Sequence, residues 1–418
     1  MVRSHARTWA TVAASAALVL GAFGAPSLAK TAHHAAGPPI PVGFMGPFTG
    51  FISFDGPDEL TGVKAAVAEI NAAGGVLGRP LKVYTADSAS DPVDAVPAFR
   101  KLLSVDHIVA EFGPTSNAGP ALIPIATKAQ VPIFIQGGTT ALNHETDPYF
   151  FRTTPADSVQ GTAMAYWAIH ENWKTAALVF TTASSAQTLV APIQQAFTRH
   201  GGKIVANIAV VPQASSYRSE VLKLVQSKPQ VVFYQLDPQT AGTFFQEVNQ
   251  LGFDAQTHWI GSNIESTTDV FKAVGAKTAT TNNYMTNGAL ENDPAANVFN
   301  TWNERVNHLS APANLAPEEY DAVIVAALAM DMAGSTSGPA WVKDVTKVSN
   351  PPGTPVYSYA QGLKLLKEGK KINYQGAAST VDFNRWHNVV GPFSVYVWTA
   401  NEQLKAIATI PDTSLEKF

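Results

Sequence analysis

The stretch HIVAEFGPTSNAGPALIPIATKAQVPIFIQGGTT (His107–Thr140) decides the fold. "HIVAEFG" and "VPIFIQ" are apolar runs dominated by Val, Ile and Phe, and they read as buried strands. "NAGPALIPIATKAQ" between them reads as a helix. A strand–helix–strand unit of this kind implies parallel strands covered on both faces. Each strand stops at small residues: Gly113, Pro114, Thr115 and Ser116 after the first, Gly137, Gly138, Thr139 and Thr140 after the second. In open parallel sheets, ligands bind beyond the carboxyl ends of the strands. There the loops expose N–H groups and helix N-termini add positive potential. Glycines let a ligand approach the backbone closely, and hydroxyls both donate and accept. Two neighbouring strand ends with one chemistry suggest a single site for a small polar or anionic group such as a carboxylate. The competing explanation is helix capping, since Ser116 and Thr140 both precede helical stretches; their pairing favours the ligand.

The alternation extends outward in both directions. "IPVGFMG" (Ile40–Gly46) is a strand, and "GPFTGFISFDG" is a Gly/Pro-rich loop. A helix is expected from Pro57, with Leu60, Val63, Val67 and Ile70 at spacings of three and four. Pro57 suits its first turn, with Asp58 and Glu59 near the positive end of the dipole. "LKVYTAD", "AALVFT", "KIVANIAVV", "QVVFYQL" and "THWIG" are further strands with helical stretches between them. A loose echo of strand, Ser/Thr/Pro turn and helix start suggests two similar lobes. "FFRTTPADSVQGTAMAYWA" (Phe150–Ala168) marks the passage between them. Beyond Pro351 the chain is expected to be β-rich. The fold class is therefore α/β.

The chain has 418 residues, which implies two domains. Charged residues make up 14% and apolar residues 46%, a globular balance. Arg3, His5 and Arg7 precede the apolar "ATVAASAALVLGAFGA", and Ser27-Leu28-Ala29 offers a small-x-small cleavage pattern, so residues 1–29 read as a cleaved export signal. Residues 30–38 read as a flexible leader, with His33 and His34 merely solvated. The net charge of −4 becomes more negative once Arg3 and Arg7 are removed, which argues against a nucleic-acid partner. There is no cysteine, which excludes disulfides, thiolate metal sites, a Cys nucleophile and a lipid-carrying cysteine. The mature protein is expected to be freely soluble outside the inner membrane, in the periplasm.

"IPVGFMGPFTG", "GVKAAVAEINAAGGVLGRPLKVYTAD", "VAEFGPTSNAG", "VPIFIQGGTT" and "YFFRTTPADSVQG" together resemble the leucine/isoleucine/valine-type solute-binding proteins of ABC importers. "EINAAGGVLGRPL" is the most specific of these signatures. The resemblance spans nearly the whole mature chain and weakens after about Pro351. It implies a type I periplasmic-binding fold: two doubly wound parallel-sheet lobes joined by a three-stranded hinge. The corresponding lobes are 39–156 plus 288–380, and 157–287 plus 381–418. It also implies a monomer that closes around a small-molecule ligand and delivers it to a permease with ATPase subunits, without cofactor or metal.

The resemblance assigns site residues one by one. The Gly113–Ser116 turn (Gly113, Thr115, Ser116) with Gly137 and Thr139 would meet the ligand's carboxylate. The Gly137 carbonyl would take part of its ammonium. Phe112 would form an apolar wall, and Phe54 or Asp55 would lie over the ligand. In the second lobe Asn263 stands where amino-acid binders carry an acid, and an uncharged carboxamide cannot form the same ion pair. Glu265 lies two residues on and is a substitute. Asp237 falls where an aromatic is common, although Asp-Pro at a helix start is also a good cap. Ser185 replaces another aromatic position. Tyr320 fits an aromatic wall, or else packs on a helix face. With an acid inward, the pocket suits an amino acid; without one, an amide or an aromatic carboxylate.

Two rivals remain. An enzyme would need a nucleophile or metal motif, and none of the usual spacings is present; His107, His144, His170, His200, His258, His308 and His387 are scattered. A sensory module of the same fold would often carry a membrane helix and an output domain. The chain is expected to be a transporter component rather than either.

Overall fold

The computed structural model describes residues 37–289 and 294–418; the export signal assigned to residues 1–29 and most of the leader lie outside them. Five parallel strands form the first sheet: β1 (Ile40–Gly46), β2 (Leu81–Asp87), β3 (Glu111–Phe112), β4 (Ile133–Phe134) and β5 (Phe150–Phe151), in the order β2-β1-β3-β4-β5. The helices between them are α1 (Asp55–Ala72), α2 (Pro92–Ser104) and α3 (Gly119–Ala129). The second sheet has seven strands, built from β6 (Thr175–Thr181), β7 (Lys203–Val210), β8 (Val231–Gln235), β9 (His258–Gly261) and β10 (Asn283–Gly288). A short parallel pair, β11 (Thr354–Val356) and β12 (Ile372–Tyr374), lies apart from both sheets. The last strands, β13 (Phe393–Trp398) and β14 (Leu404–Ile410), extend the second sheet antiparallel beyond β10. Its interleaved helices are α4 (Asp157–His170), α5 (Ser184–Arg199), α6 (Arg218–Ser227), α7 (Pro238–Gln250), α8 (Thr268–Val274) and α9 (Ala276–Thr280). Two further helices, α10 (Pro294–Asn307) and α11 (Ala316–Ala333), return to pack on α1.

The central strands of each sheet are covered on both faces, which is why β1, β6 and β8 are largely apolar rather than alternating, whereas the edge strands β2, β7 and β14 are partly exposed. One face of the first sheet meets α1 and α11 around Phe44, Val63, Ile70 and Val323; the other meets α2 and α3 around Phe99, Leu122 and Ile133. The second sheet is likewise sandwiched, by α4 and α5 on one face and α6 and α7 on the other. This is the doubly wound, two-lobed arrangement expected from the sequence.

The helix expected at Pro57 begins two residues earlier, at Asp55, whose N–H closes a turn on the Ile52 carbonyl at 3.0 Å. Its apolar spacing is realised: Val63 and Ile70 are buried and Leu60 and Val67 pack against the same core. Gly62 sets how closely α1 meets α11, because a Cβ there would lie 1.9 Å from the Ala316 carbonyl oxygen.

Two expectations change in the last third. The region beyond Pro351 is only partly β: residues 375–392 form no strand. That segment is pinned to the first lobe instead, with Arg152 N donating to the His387 carbonyl at 2.9 Å and Asn388 Nδ2 to the Asn143 carbonyl at 3.1 Å. Val381, Phe383 and Val389 belong to the first lobe's core, so the chain leaves that lobe nearer Phe393 than residue 381. Among the described residues no helix is long and apolar enough to cross a membrane.

Candidate functional site

The carboxyl ends of β3 and β4 meet as the sequence suggests. Gln136 N donates to the Pro114 carbonyl at 3.0 Å, and Thr139 N donates to Ser116 Oγ at 3.1 Å. Gly137 is required here, since a Cβ would stand 2.4 Å from Ser116 N. Gly113 holds φ at +91°, which favours glycine, and a Cβ there would press on the Phe44 ring. Ser116 does not cap α3; the residue at that cap is Ala118, with no side-chain hydrogen bond. Its hydroxyl instead ties the two turns together. Thr139 does cap, through a long 3.4 Å bond from Ala141 N into a single 3-10 turn. Thr115 is buried and its Oγ1 has no partner among the described residues. The corner therefore gathers Gly113, Thr115, Ser116, Gly137 and Thr139.

Arg152 lies behind this corner, fully buried. Its guanidinium donates to the Thr139 carbonyl at 3.0 Å and to Asn143 Oδ1 at 2.9 Å, and lies 3.5 Å from the Gly137 carbonyl. The Gly137 carbonyl is thus directed at a cation. This opposes the expectation that it would take a ligand ammonium.

Other residues reach the cleft from both lobes. Phe54 belongs to the first lobe but packs against the core of the second. Asp55 accepts from Asn314 Nδ2 at 3.1 Å, Asn314 Oδ1 lies 3.5 Å from Asn263 Nδ2, and Asn263 Oδ1 accepts from Gln160 Nε2 at 3.3 Å. A polar chain thus crosses from α1 to α4. A second crossing is made by Asn117, whose Oδ1 accepts from Ser184 Oγ at 2.6 Å and Ser185 N at 3.2 Å. Asn263 and Ser185 thus lie where the two lobes meet.

Four candidates do not. Phe112 is a core residue: it stacks on Phe134, which stacks on Phe151, at 5.3 and 5.1 Å between ring centres, forming a ladder across β3, β4 and β5. Tyr320 is fully buried, donates to the Glu69 carboxylate and meets Phe299 edge-on at 5.2 Å, so packing accounts for it. Asp237 caps α7, accepting from Thr240 N at 3.1 Å and from the Thr240 hydroxyl. Glu265 spends both oxygens on local structure, accepting from Leu236 N at 2.7 Å and from Ser262 N and Oγ at 2.8 and 3.0 Å. Burial lifts its carboxyl to about 8, against the hydrogen bonds that lower it.

The acids that do line the cleft are ones the sequence reading passed over. A narrow cleft of roughly 50 Å³ is bordered by Gln136, Gly138, Asp157, Gln160, Asn263 and Glu318, among others. Asp157, the first residue of α4, accepts from the Thr188 hydroxyl. Burial pushes its carboxyl up to about 6, against the Thr188 hydrogen bond and the Arg152 charge, which lower it. Burial likewise pushes Glu318 up to about 7. Asp55 rises to about 7 through burial, with Asp58 and Asp269 adding repulsion and the Asn314 hydrogen bond opposing. Asp157 and Gln160 sit in the quoted "TTPADSVQG", where an Asp after Pro-Ala reads as an ordinary helix start. Only the fold turns it inward. Among the described residues no group of three or more His, Cys, Asp or Glu is arranged to hold a metal ion.

The sequence pattern of the family described as "Periplasmic binding protein" matches residues 39–402. The branched-chain amino acid transporter substrate-binding protein of Streptococcus pneumoniae, solved with isoleucine, superposes with a TM-score of 0.74 at 22% identity, covering 89% of this chain and 99% of that one. The solute-binding protein of an ABC transporter from Rhodopseudomonas palustris, solved with 3,4-dihydroxybenzoic acid, gives 0.71 at 19% identity, covering 89% and 97%. Glutamate receptor 2.4 of Arabidopsis thaliana is 24% identical over 313 residues, 71% of this chain and 34% of the receptor. The chain spans about a third to a half of the length of the curated relatives it matches.

Proposed function

From the premise that the chain belongs to the periplasmic binding protein family, we propose that it is the extracytoplasmic solute-binding component of an ABC importer. It holds a small polar ligand, an amino acid, amide or related carboxylate, between two lobes that close like a hinge. It is handed on unchanged to a permease driven by ATPase subunits; the protein itself performs no chemistry and carries no cofactor. The lobes comprise residues 39–156 with 288–389, and 157–287 with 390–418.

One observation carries this reading. Gln136 and Gly138, on either side of Gly137 in the Ser116–Thr139 corner, border one cleft with Asn263 of the other lobe, and Asn117–Ser184 and Asp55–Asn314–Asn263 contacts join the two lobes. Bare amides and hydroxyls suit a carboxylate or amide oxygen, and closure removes them from water, where their hydrogen bonds gain strength. An aromatic-carboxylate ligand is the second reading, supported by the dihydroxybenzoate relative. It is the weaker one here, because Asp157 and Glu318 would repel a ligand whose only charge is negative.

Native mass spectrometry of the purified protein, backed by a thermal-shift screen of amino acids, amides and aromatic acids, tests the proposal. A ligand recovered unchanged and raising the melting temperature supports it. Steady turnover of that ligand without partners would replace it with an enzyme.

A further inference from the structure

We propose that the part of the cleft bordered by Gln136, Asp157 and Glu318 is a subsite for a basic group, so that the ligand carries an ammonium, amidinium or guanidinium beyond the end held at the Ser116–Thr139 corner. The inference rests on the solute-binding reading and narrows it to basic solutes.

Three acceptors border this part of the cleft. Asp157, from the start of α4, and Glu318, from the first turn of α11, line the cleft from opposite lobes. Asp157 has one oxygen engaged by Thr188, and its carboxyl packs against Gly138, also in the lining. Gln136 supplies the third acceptor and an independent observation. It is only 3% exposed, and its Nε2 donates to Thr153 Oγ1 at 2.7 Å. Its Oε1 has no partner among the described residues. A buried amide oxygen left unpaired in a cavity wall is an acceptor waiting for a donor.

No Lys, Arg or His borders the cleft. Arg152 lies behind Asp157 and its charge partly offsets that carboxylate, although its hydrogen bonds go to the Thr139 and Gly137 carbonyls and Asn143; Glu318 has no such counter-charge among the described ion pairs. Behind Glu318 the charge imbalance deepens. Glu59 and Glu319 are fully buried, and their carboxyl oxygens have no partners among the described residues. None of the ion pairs among the described residues involves Asp55, Asp58, Glu59, Glu318 or Glu319. A buried carboxylate without a counter-charge either takes a proton or takes a cation. A ligand nitrogen bearing several N–H groups satisfies the acceptors and the charge together, and a planar guanidinium offers the forked geometry that suits paired oxygens. An aliphatic or aromatic end placed there would leave these acceptors dry and unpaired, which is the stronger form of rejection.

The test is titration calorimetry of the whole protein with L-arginine, L-lysine, L-norleucine and benzoate, repeated on Glu318→Gln and Asp157→Asn. L-Arginine or L-lysine should bind at least tenfold more tightly than the uncharged straight-chain analogue norleucine. Glu318→Gln should weaken the basic ligand tenfold or more while changing norleucine less than twofold. Binding of the basic ligand at pH 7 should also release protons, read as a dependence of the measured heat on the buffer's ionisation enthalpy. Melting curves of both variants establish that they are folded. Norleucine or benzoate binding as tightly as arginine and lysine would overturn the subsite while leaving the solute-binding reading intact. Equal arginine or lysine affinity in wild type and both variants would do the same. Failure of all four probes to bind, with no ligand carried through purification, would overturn the subsite and the solute-binding reading together.

Discussion

Replacing Glu318 by Gln should make the unliganded protein more stable at neutral pH and leave it unchanged in acid. Glu318 is 6% exposed, and burial lifts its carboxyl from the ordinary 4.5 to about 7. The native state therefore binds this proton more tightly than the unfolded chain does. Between about pH 4.5 and 7 the unfolded state holds fewer protons, so stability falls as pH rises through that window. Below it both states are protonated and the group adds no slope. Above it the whole cost of burying the charge is felt. At about 1.4 kcal/mol for each tenfold change in proton affinity, that cost reaches ~3 kcal/mol. Glutamine keeps the volume and cannot ionise. Glu318→Gln should therefore gain up to ~3 kcal/mol at pH 8 and less than about 0.5 kcal/mol at pH 4. Unfolding entropy of about 2.1 cal/mol/K per residue converts the larger figure to a melting-temperature rise of roughly 4 °C. Calorimetric melts at pH 4, 6 and 8 measure it. A gap between variant and wild type that does not widen with pH, or a variant less stable at pH 8, would refute the burial of an unbalanced charge at this position.

Other consequences can be measured in the same way. Thr139→Val removes a hydroxyl from the proposed ligand corner and should weaken the ligand by roughly 1–3 kcal/mol in calorimetry; unchanged affinity would take Thr139 out of the site. Asn117→Ala deletes both acceptances from Ser184 and Ser185, so small-angle scattering of the unliganded variant should report a larger radius of gyration than wild type, and an identical radius would show these bonds do not hold the lobes. Gly62→Ala forces a Cβ to within 1.9 Å of the Ala316 carbonyl oxygen and should cost about 1–3 kcal/mol as α1 and α11 are pushed apart, whereas a neutral effect in urea unfolding would contradict the close approach of those helices.

The alternation of strands and helices was legible because every long segment carries its own period or apolar run, and both sheets are buried on two sides. The Ser116–Thr139 corner was legible for a related reason: strand ends are fixed once strands are, and the residue types there have few other uses. Single side chains were harder. Phe112 occupies a two-residue strand with both faces buried, so nothing local says whether its ring faces ligand or core; the stack with Phe134 and Phe151 comes from strand order. Asp237 shows the reverse case, where the local rule of Asp before Pro at a helix start is what the fold uses. Asp157 and Glu318 went unread because their meaning lies in what is missing around them. Each looks like an acid in a helix's first turn, and only the fold brings them to one cleft whose lining holds no basic side chain. The strand-free run 375–392 was misread as β because its aromatic and β-branched residues are spent packing onto the first lobe, Phe383 and Val389 among them.

The central claim is tested most directly by a crystal structure of the protein with the tightest ligand found in the screen. The account predicts that ligand between the lobes, with an oxygen within roughly 3 Å of a hydroxyl or amide of Ser116–Thr139 and its other end toward Asp157 and Glu318. A ligand bound outside the cleft, or one seated in it without touching the Ser116–Gly137–Thr139 corner, would contradict the account.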